Sequence, residues 1–266
     1  MLRKIILGIG AAGTAIAMLP LLAAFEAHVV NVTARIENAL SVSPDNIDFG
    51  TVFPQEHLNR PLNVQLSGSF MTEDRVDDVN YFIRQKPKCG WTLKEGTNLL
   101  GLPTYTGHVV VNPQTGVAEV ECPDPGNPLR PAGAVYGVLP SLCEYISKEA
   151  DEGGNDTSTP SFHHPWKILP GIGTSTPGAG EYYLVWNDTL GRLAKSENDE
   201  SDDWVIDLSV PCFGGYCAQD WEDFVHGINP NAEPSEFTQS IGNEHKVFGC
   251  DLWIEVTEVS RDIDQS

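Results

Sequence analysis

The chain has 266 residues, of which 37 are acidic and 16 basic, for a formal net charge of −21. That length fits one large domain or two small ones, and a surface this acidic repels phosphate backbones, which excludes nucleic acid as an expected partner. The same charge keeps the chain soluble and attracts cations.

The N-terminus carries Arg3 and Lys4, then an uncharged and mostly apolar run from Ile5 to Phe25 with small residues at Ala23 and Ala24. This is the charged, apolar and small-residue pattern of a secretory signal peptide, with cleavage expected after Ala24. Residues 1–24 are then the signal, and 25–266 form a single β-sandwich domain with a long insertion near 141–203. If uncleaved, the run is long enough to anchor in a bilayer and is the only expected membrane contact. Loss of Arg3 and Lys4 leaves 14 basic residues against 37 acidic ones, a net charge of −23.

Directly after the signal, AHVVNVTARI places Val30, Val32, Ala34 and Ile36 on one face of a predicted strand. ALSVSPDNIDFGTVF has Leu40 and Val42 before a Ser-Pro-Asp turn and Ile47, Phe49 and Val52 after it. PLNVQLSGSF alternates through Leu62, Val64 and Leu66, and VNYFIRQ through Val79, Tyr81 and Ile83. HVVVNPQTGVAEVEC reads as a hairpin turning at Asn112 to Gly116. Ser141 and Glu144 have capping-box spacing, which predicts a short helix over 141–150. The Gly-, Ser-, Thr- and Pro-rich span 151–180 reads as a long exposed loop. EYYLVWND and DDWVIDLSV are strands flanking an acidic run. Trp221, Phe224, Val225 and Ile228 have the spacing of an amphipathic helix. In KVFGCDLWIEVTEV, Phe248, Cys250, Leu252, Ile254 and Val256 alternate with an outward set that includes Trp253. Many short strands with two helical insertions predict an all-β fold, an antiparallel β-sandwich with jelly-roll or immunoglobulin-like connections.

Export makes the six cysteines candidates for disulfides, and six allow fifteen complete pairings. Cys212 and Cys217 bracket Phe-Gly-Gly-Tyr, whose glycines permit the sharp turn a bridge needs, so this pair is read as a structural disulfide. The zinc pattern of paired short spacings is missing, as is the C-x-x-C of thioredoxin-like redox sites. Acids concentrate in EADEGGND and SENDESDD, which read as solvated loops. Asp199, Asp202 and Asp203 are the candidate calcium ligands, since hard cations favour clustered carboxylates, although EF-hand spacing is absent. No other cofactor is expected.

The signal ending in LLAAF, the strand pattern FPQEHLNRPLNVQLSGS and the terminal KVFGCDLWIEVTEV resemble the TasA/camelysin family of exported surface proteins. The resemblance covers about 24–70 and 245–260. It implies a jelly-roll-like sandwich and, for several members, extracellular matrix fibres in which the N-terminal segment of one subunit inserts as a strand into the next. SPDNIDFGTV also resembles the first strands of immunoglobulin-like surface modules. The cysteines and the acidic middle depart from the family. Camelysin-type members are described as metalloproteases, yet no H-E-x-x-H occurs among His28, His57, His108, His163, His164, His226 and His245, and the adjacent His163 and His164 read as solvent-facing. No nucleophile elbow, P-loop or dinucleotide fingerprint appears, so no enzymatic activity is expected.

The predicted function is that of a secreted, extracellular or cell-surface structural protein that self-associates. Val30, Val32, Ala34 and Ile36 form the strand that adds to a foreign sheet edge, and head-to-tail repetition of that contact makes a filament. The alternative is an adhesin or carbohydrate-binding module recognising surface glycans through Trp91, Trp166, Trp186, Trp204, Trp221 and Trp253. Exposed, clustered aromatics would favour the second reading, and a groove complementary to a strand the first. Asn31, Asn155 and Asn187 lie in N-x-T sequons.

Overall fold

The computed structural model describes residues 37–93, 103–126, 132–150, 156–171 and 181–260. The signal segment, the predicted strand with Val30, Val32, Ala34 and Ile36, and the sequons at Asn31 and Asn155 lie outside them.

Two antiparallel sheets face one another. In the first, β1 (Leu40–Ser43) pairs with β2 (His57–Leu66), and β2 with β11 (Ser201–Ser209). In the second, β3 (Asp78–Leu93) is central. Its first half lies between β10 (Thr189–Ala194) and β12 (Cys250–Val259), and its second half carries β4 (Tyr105–Thr106) and β7 (Ala134–Val138). Two hairpins are appended, β5 (His108–Val111) with β6 (Ala118–Glu121), and β8 (Trp166–Pro170) with β9 (Tyr182–Trp186). The first turns where expected: the Asn112 carboxamide oxygen accepts the N–H groups of Gln114 and Thr115, and Gly116 takes a φ of +70°.

Period-2 alternation supplies the core. Leu62, Val64 and Leu66 of β2 and Trp204, Ile206 and Leu208 of β11 meet Val79, Tyr81 and Ile83 of β3, all buried, with Leu252, Ile254 and Val256 of β12 half-buried beside them. Gly191 of β10 stands opposite Tyr81, where a Cβ would run into the phenol ring.

A second apolar cluster covers one end. The helix α2 (Trp221–Ile228) has the predicted face and buries Trp221 and Val225; α1 is the short Gly68–Met71. Phe162 is fully buried, edge to face with Tyr145, Trp221, Phe224 and Phe237 at centroid distances of 6.1, 5.6, 5.9 and 5.7 Å.

Three expectations are corrected. Residues 141–150 form only a single turn, Cys143–Tyr145, because Ile146 to Glu149 extend along β11 and make ladder hydrogen bonds in place of helical ones. The described part of 151–180 is not an exposed loop. Ser161, Phe162 and His163 are buried there, so its Gly and Pro content marks irregular backbone and not exposure. The stretch 141–203 is no mere insertion, since it supplies β10 and the start of β11. The acidic run crosses from one sheet to the other, turning at Asn198 with φ +57°.

All six cysteines pair: Cys89 with Cys122, Cys143 with Cys250, and Cys212 with Cys217. Three disulfides are the mark of a chain matured in an oxidising compartment outside the cytoplasm. Among the described residues no helix is long and apolar enough to cross a membrane.

Candidate functional site

The two flanks of the sandwich differ, and the candidate site is the flank left open. On the closed flank, Glu149 and Val205 exchange N–H···O bonds of 3.0 and 2.9 Å, Lys148 and Thr159 exchange two of 2.8 Å, and the Thr157 N–H reaches the Leu190 carbonyl at 2.9 Å. These rungs carry hydrogen bonding without a break from β11 of one sheet to β10 of the other.

On the opposite flank, the edges of β1 and β12 face each other with no backbone hydrogen bond between them among the described residues. A cleft of about 570 Å³ runs along this seam. Val42, Ile47 and Phe49 line one side, Leu252 and Ile254 the other, and Leu62 and Ile206 lie at its floor. Ile47 and Phe49 pack against the core from irregular chain, with the Arg60 guanidinium 5.4 Å from the Phe49 ring centroid. Polar groups close one end: Lys88 Nζ is 2.8 Å from Asp251 Oδ1, and the Thr106 hydroxyl donates to Asp251 Oδ2 at 2.8 Å. Two unpaired strand edges over an apolar floor are the chemistry of strand addition.

Inside the closed flank lies a polar node that sequence reasoning missed. Gln85 occupies the next inward position of β3 after Ile83. Its Nε2 donates to the carbonyls of Cys143 and Ile146, both at 2.9 Å. Its Oε1 receives Lys148 Nζ and His163 Nε2, each at 2.7 Å. Lys148 is 0% exposed, and burial holds its ammonium well below the usual lysine range, at about 7. Burial, with the neighbouring Lys148 charge, lowers His163 to about 3. His163 is thus neutral and interior, which corrects the expectation of a solvent-facing residue; His164 is exposed and stacks on Phe237. The one available signal was the parity of Gln85 with Val79, Tyr81 and Ile83. Nothing local marks Lys148 or His163.

The candidate calcium ligands are not brought together. Asp202 points inward, where the Tyr81 hydroxyl donates to it and Trp204 Nε1 donates to the Tyr81 oxygen at 2.8 Å. Burial, and then the Asp202 carboxylate, push the Tyr81 hydroxyl far above its ordinary pKa. Asp203 points outward and accepts from Asn63 Nδ2 at 2.8 Å, while Asp199 pairs through its backbone with Ala194. Neighbours on a strand face opposite ways, which sets the Asp202 and Asp203 carboxylates on opposite faces of β11. Among the described residues no group of three His, Cys, Asp or Glu side chains is placed to hold a metal.

The tryptophans are dispersed. Trp91, Trp204 and Trp221 are buried, Trp166 and Trp186 pair with each other at 5.5 Å, and Trp253 carries Lys86 Nζ 3.6 Å from its ring centroid.

Together these features define a disulfide-stapled antiparallel β-sandwich, hydrogen-bonded shut on one flank and open on the other. The chain matches no protein-family model, no curated protein and no solved structure, so its geometry carries the functional argument.

Proposed function

We propose that this is an exported structural protein that assembles head to tail, the segment Ala27–Ile36 of one copy adding as a strand along the β1–β12 seam of the next. The observation that carries this reading is the asymmetry of the flanks: among the described residues the chain closes one itself and leaves apolar, unpaired edges on the other. The occupant is argued from sequence and connectivity. Val30, Val32, Ala34 and Ile36 provide an apolar face for such a cleft. The chain is tied down where it enters β1, since the Ala39 carbonyl accepts the Ser67 N–H at 2.8 Å and the Asn38 carbonyl the Ser67 hydroxyl at 2.6 Å. A second copy is taken as the donor because head-to-tail transfer lets every seam be filled by the segment of a neighbour. Each transfer leaves the acceptor's own segment free for another, so the contact propagates as an open filament.

The test compares the chain beginning at Phe25 with one beginning at Glu37, which keeps every described strand. Light scattering and negative-stain microscopy are expected to show concentration-dependent oligomers or fibres for the first and monomers for the second. A peptide spanning Ala27–Ile36 should bind the shorter form. Two monomeric, folded proteins would sink the proposal.

A further inference from the structure

The Gln85–Lys148–His163 node lies far along the closed flank and plays no part in the strand-addition reading. It has more chemistry than a structural hydrogen-bond network needs. A lysine at 0% exposure is rare without a carboxylate in direct contact, and this one donates to the carbonyl oxygen of a carboxamide at 2.7 Å, while the Asp188 carboxylate acts on it only through its charge. From this arrangement we infer that Lys148 and Gln85 join in an intramolecular isopeptide bond, formed by the folded protein itself with loss of ammonia.

Each atom of the node has a place in that reaction. The two N–H groups of Gln85 Nε2 are both engaged by carbonyls, at 2.9 Å to Cys143 and 2.9 Å to Ile146. That fixes the carboxamide orientation, because the opposite flip would set an oxygen against two carbonyl oxygens. The oxygen side must then accept. His163 Nε2, 2.7 Å away, is the protonated nitrogen, and it polarises the carbonyl and stabilises the charge that gathers on oxygen as the carbon becomes tetrahedral. Its Nδ1 is buried and makes no hydrogen bond of good geometry.

Lys148 Nζ is hydrogen-bonded to the same oxygen at 2.7 Å, which holds the amine beside the carboxamide whose carbon it attacks. Burial supplies the neutral amine that attack requires. The Nζ lone pair forms a bond to Gln85 Cδ, and a proton passes from Nζ to Nε2. The Cδ–Nε2 bond then breaks and ammonia leaves with the electron pair. One C–N bond replaces another, nothing is oxidised or reduced, and no co-reactant is consumed. Water, the competing nucleophile, is kept out: Gln85 is 1% and Lys148 0% exposed. Ammonia that escapes to neutral solvent is protonated there, which draws the exchange forward.

The product would bridge the two sheets. Gln85 belongs to β3, and Lys148 to the extended segment hydrogen-bonded to β11, 63 residues further along the sequence. Unlike the three disulfides, this link survives reduction.

Intact-mass measurement of the purified full chain, with disulfides reduced, tests the inference. The expected mass falls short of the sequence mass by one ammonia beyond any N-terminal processing. Proteolysis should give a branched peptide joining the Gln85 and Lys148 segments. Lys148→Met and Gln85→Met should each restore full mass, and His163→Phe should leave a population at full mass that links slowly. Full mass in the unaltered protein with separate Gln85 and Lys148 peptides overturns the inference, whether or not any variant folds. A mass deficit that maps to another site overturns it equally. A His163→Phe protein that links as completely and as fast as the parent overturns the role given to His163. Because the readout is the mass of a single chain, it stands or falls independently of whether the protein forms filaments.

Discussion

The closed and open flanks solve the same problem in opposite ways. A sheet edge exposes N–H and C=O groups that invite pairing. On the closed flank the chain satisfies them itself, through 146–149 and 157–159, and can then bury polar side chains such as Gln85, Lys148 and Thr159. On the open flank β1 and β12 keep their outer edges, and the inward side chains stop at half-burial. Full burial therefore tracks ladder closure more closely than side-chain polarity: Lys148 is sealed from solvent while Ile254 is not.

The largest expected effect breaks the closed end. Phe162 sits at the centre of four aromatic rings at a φ of +60°, a conformation rare for a bulky side chain, and is held by its N–H to the Glu144 carbonyl at 2.7 Å and by Asn229 Nδ2 on its own carbonyl at 2.8 Å. Phe162→Ala is expected to lower stability by about 3–5 kcal/mol in urea unfolding. A loss below about 1 kcal/mol would mean that the cluster is not the anchor of this flank.

Acid probes the same flank more gently. His163 has a native pKa of about 3 against an ordinary 6.5. Above about pH 6.5 neither folded nor unfolded chain protonates it and it adds no pH dependence. Between about 6.5 and 3 only the unfolded chain takes up the proton, so stability falls on acidification by up to about 1.4 kcal/mol per pH unit. Unfolding curves across that window should lose this slope in His163→Phe, and identical slopes would show that His163 titrates normally. The sign is the same with or without a Lys148–Gln85 bond, since the imidazole is neutral in both.

The open flank should respond in assembly and hardly in folding. Ile47→Asp puts a carboxylate on irregular chain at the wall of the cleft. It is expected to cost the monomer about 1 kcal/mol and to abolish oligomers of the Phe25 form. Unchanged oligomers in light scattering would move the assembly contact away from the seam.

Strands with clean alternation were legible in the sequence, and so was the face of α2, because period-2 and helical patterns report which side meets a core. Leu62, Val64 and Leu66 and the β12 set are the clearest cases. The closed flank was not legible. Its rungs are short, irregular pieces whose partners are distant in sequence, and Lys148 lies in a stretch whose Ser141 and Glu144 mimic a helix start. Tertiary hydrogen bonding to β11 overrides that local signal. Composition misled at Phe162 and His163, where Pro and Gly neighbours suggested solvent. The seam itself could not be read at all, since it is defined by which edges remain unpaired after everything else has folded.

The smallest predicted effect decides how rigid the open edge is before anything binds it. Lys86 and Trp253 sit on the outer face, their ring and ammonium 3.6 Å apart, and Trp253 Nε1 donates to Glu255 Oε2 at 2.8 Å. Burial, with Arg84 nearby, lowers the Lys86 pKa, so the pair is partly desolvated and the cation meets the ring with less competition from water. A double-mutant cycle of Lys86→Ala and Trp253→Ala should give a coupling of about 0.5–1 kcal/mol. That value requires β12 to hold its register along β3 even though no described strand pairs with its other edge. A coupling indistinguishable from zero would mean that the edge frays in the free monomer, and that an incoming strand must order β12 as well as itself. The first outcome makes the seam a preformed acceptor whose cost of binding lies mainly in the donor segment; the second would slow addition and make it steeply dependent on whatever stabilises β12.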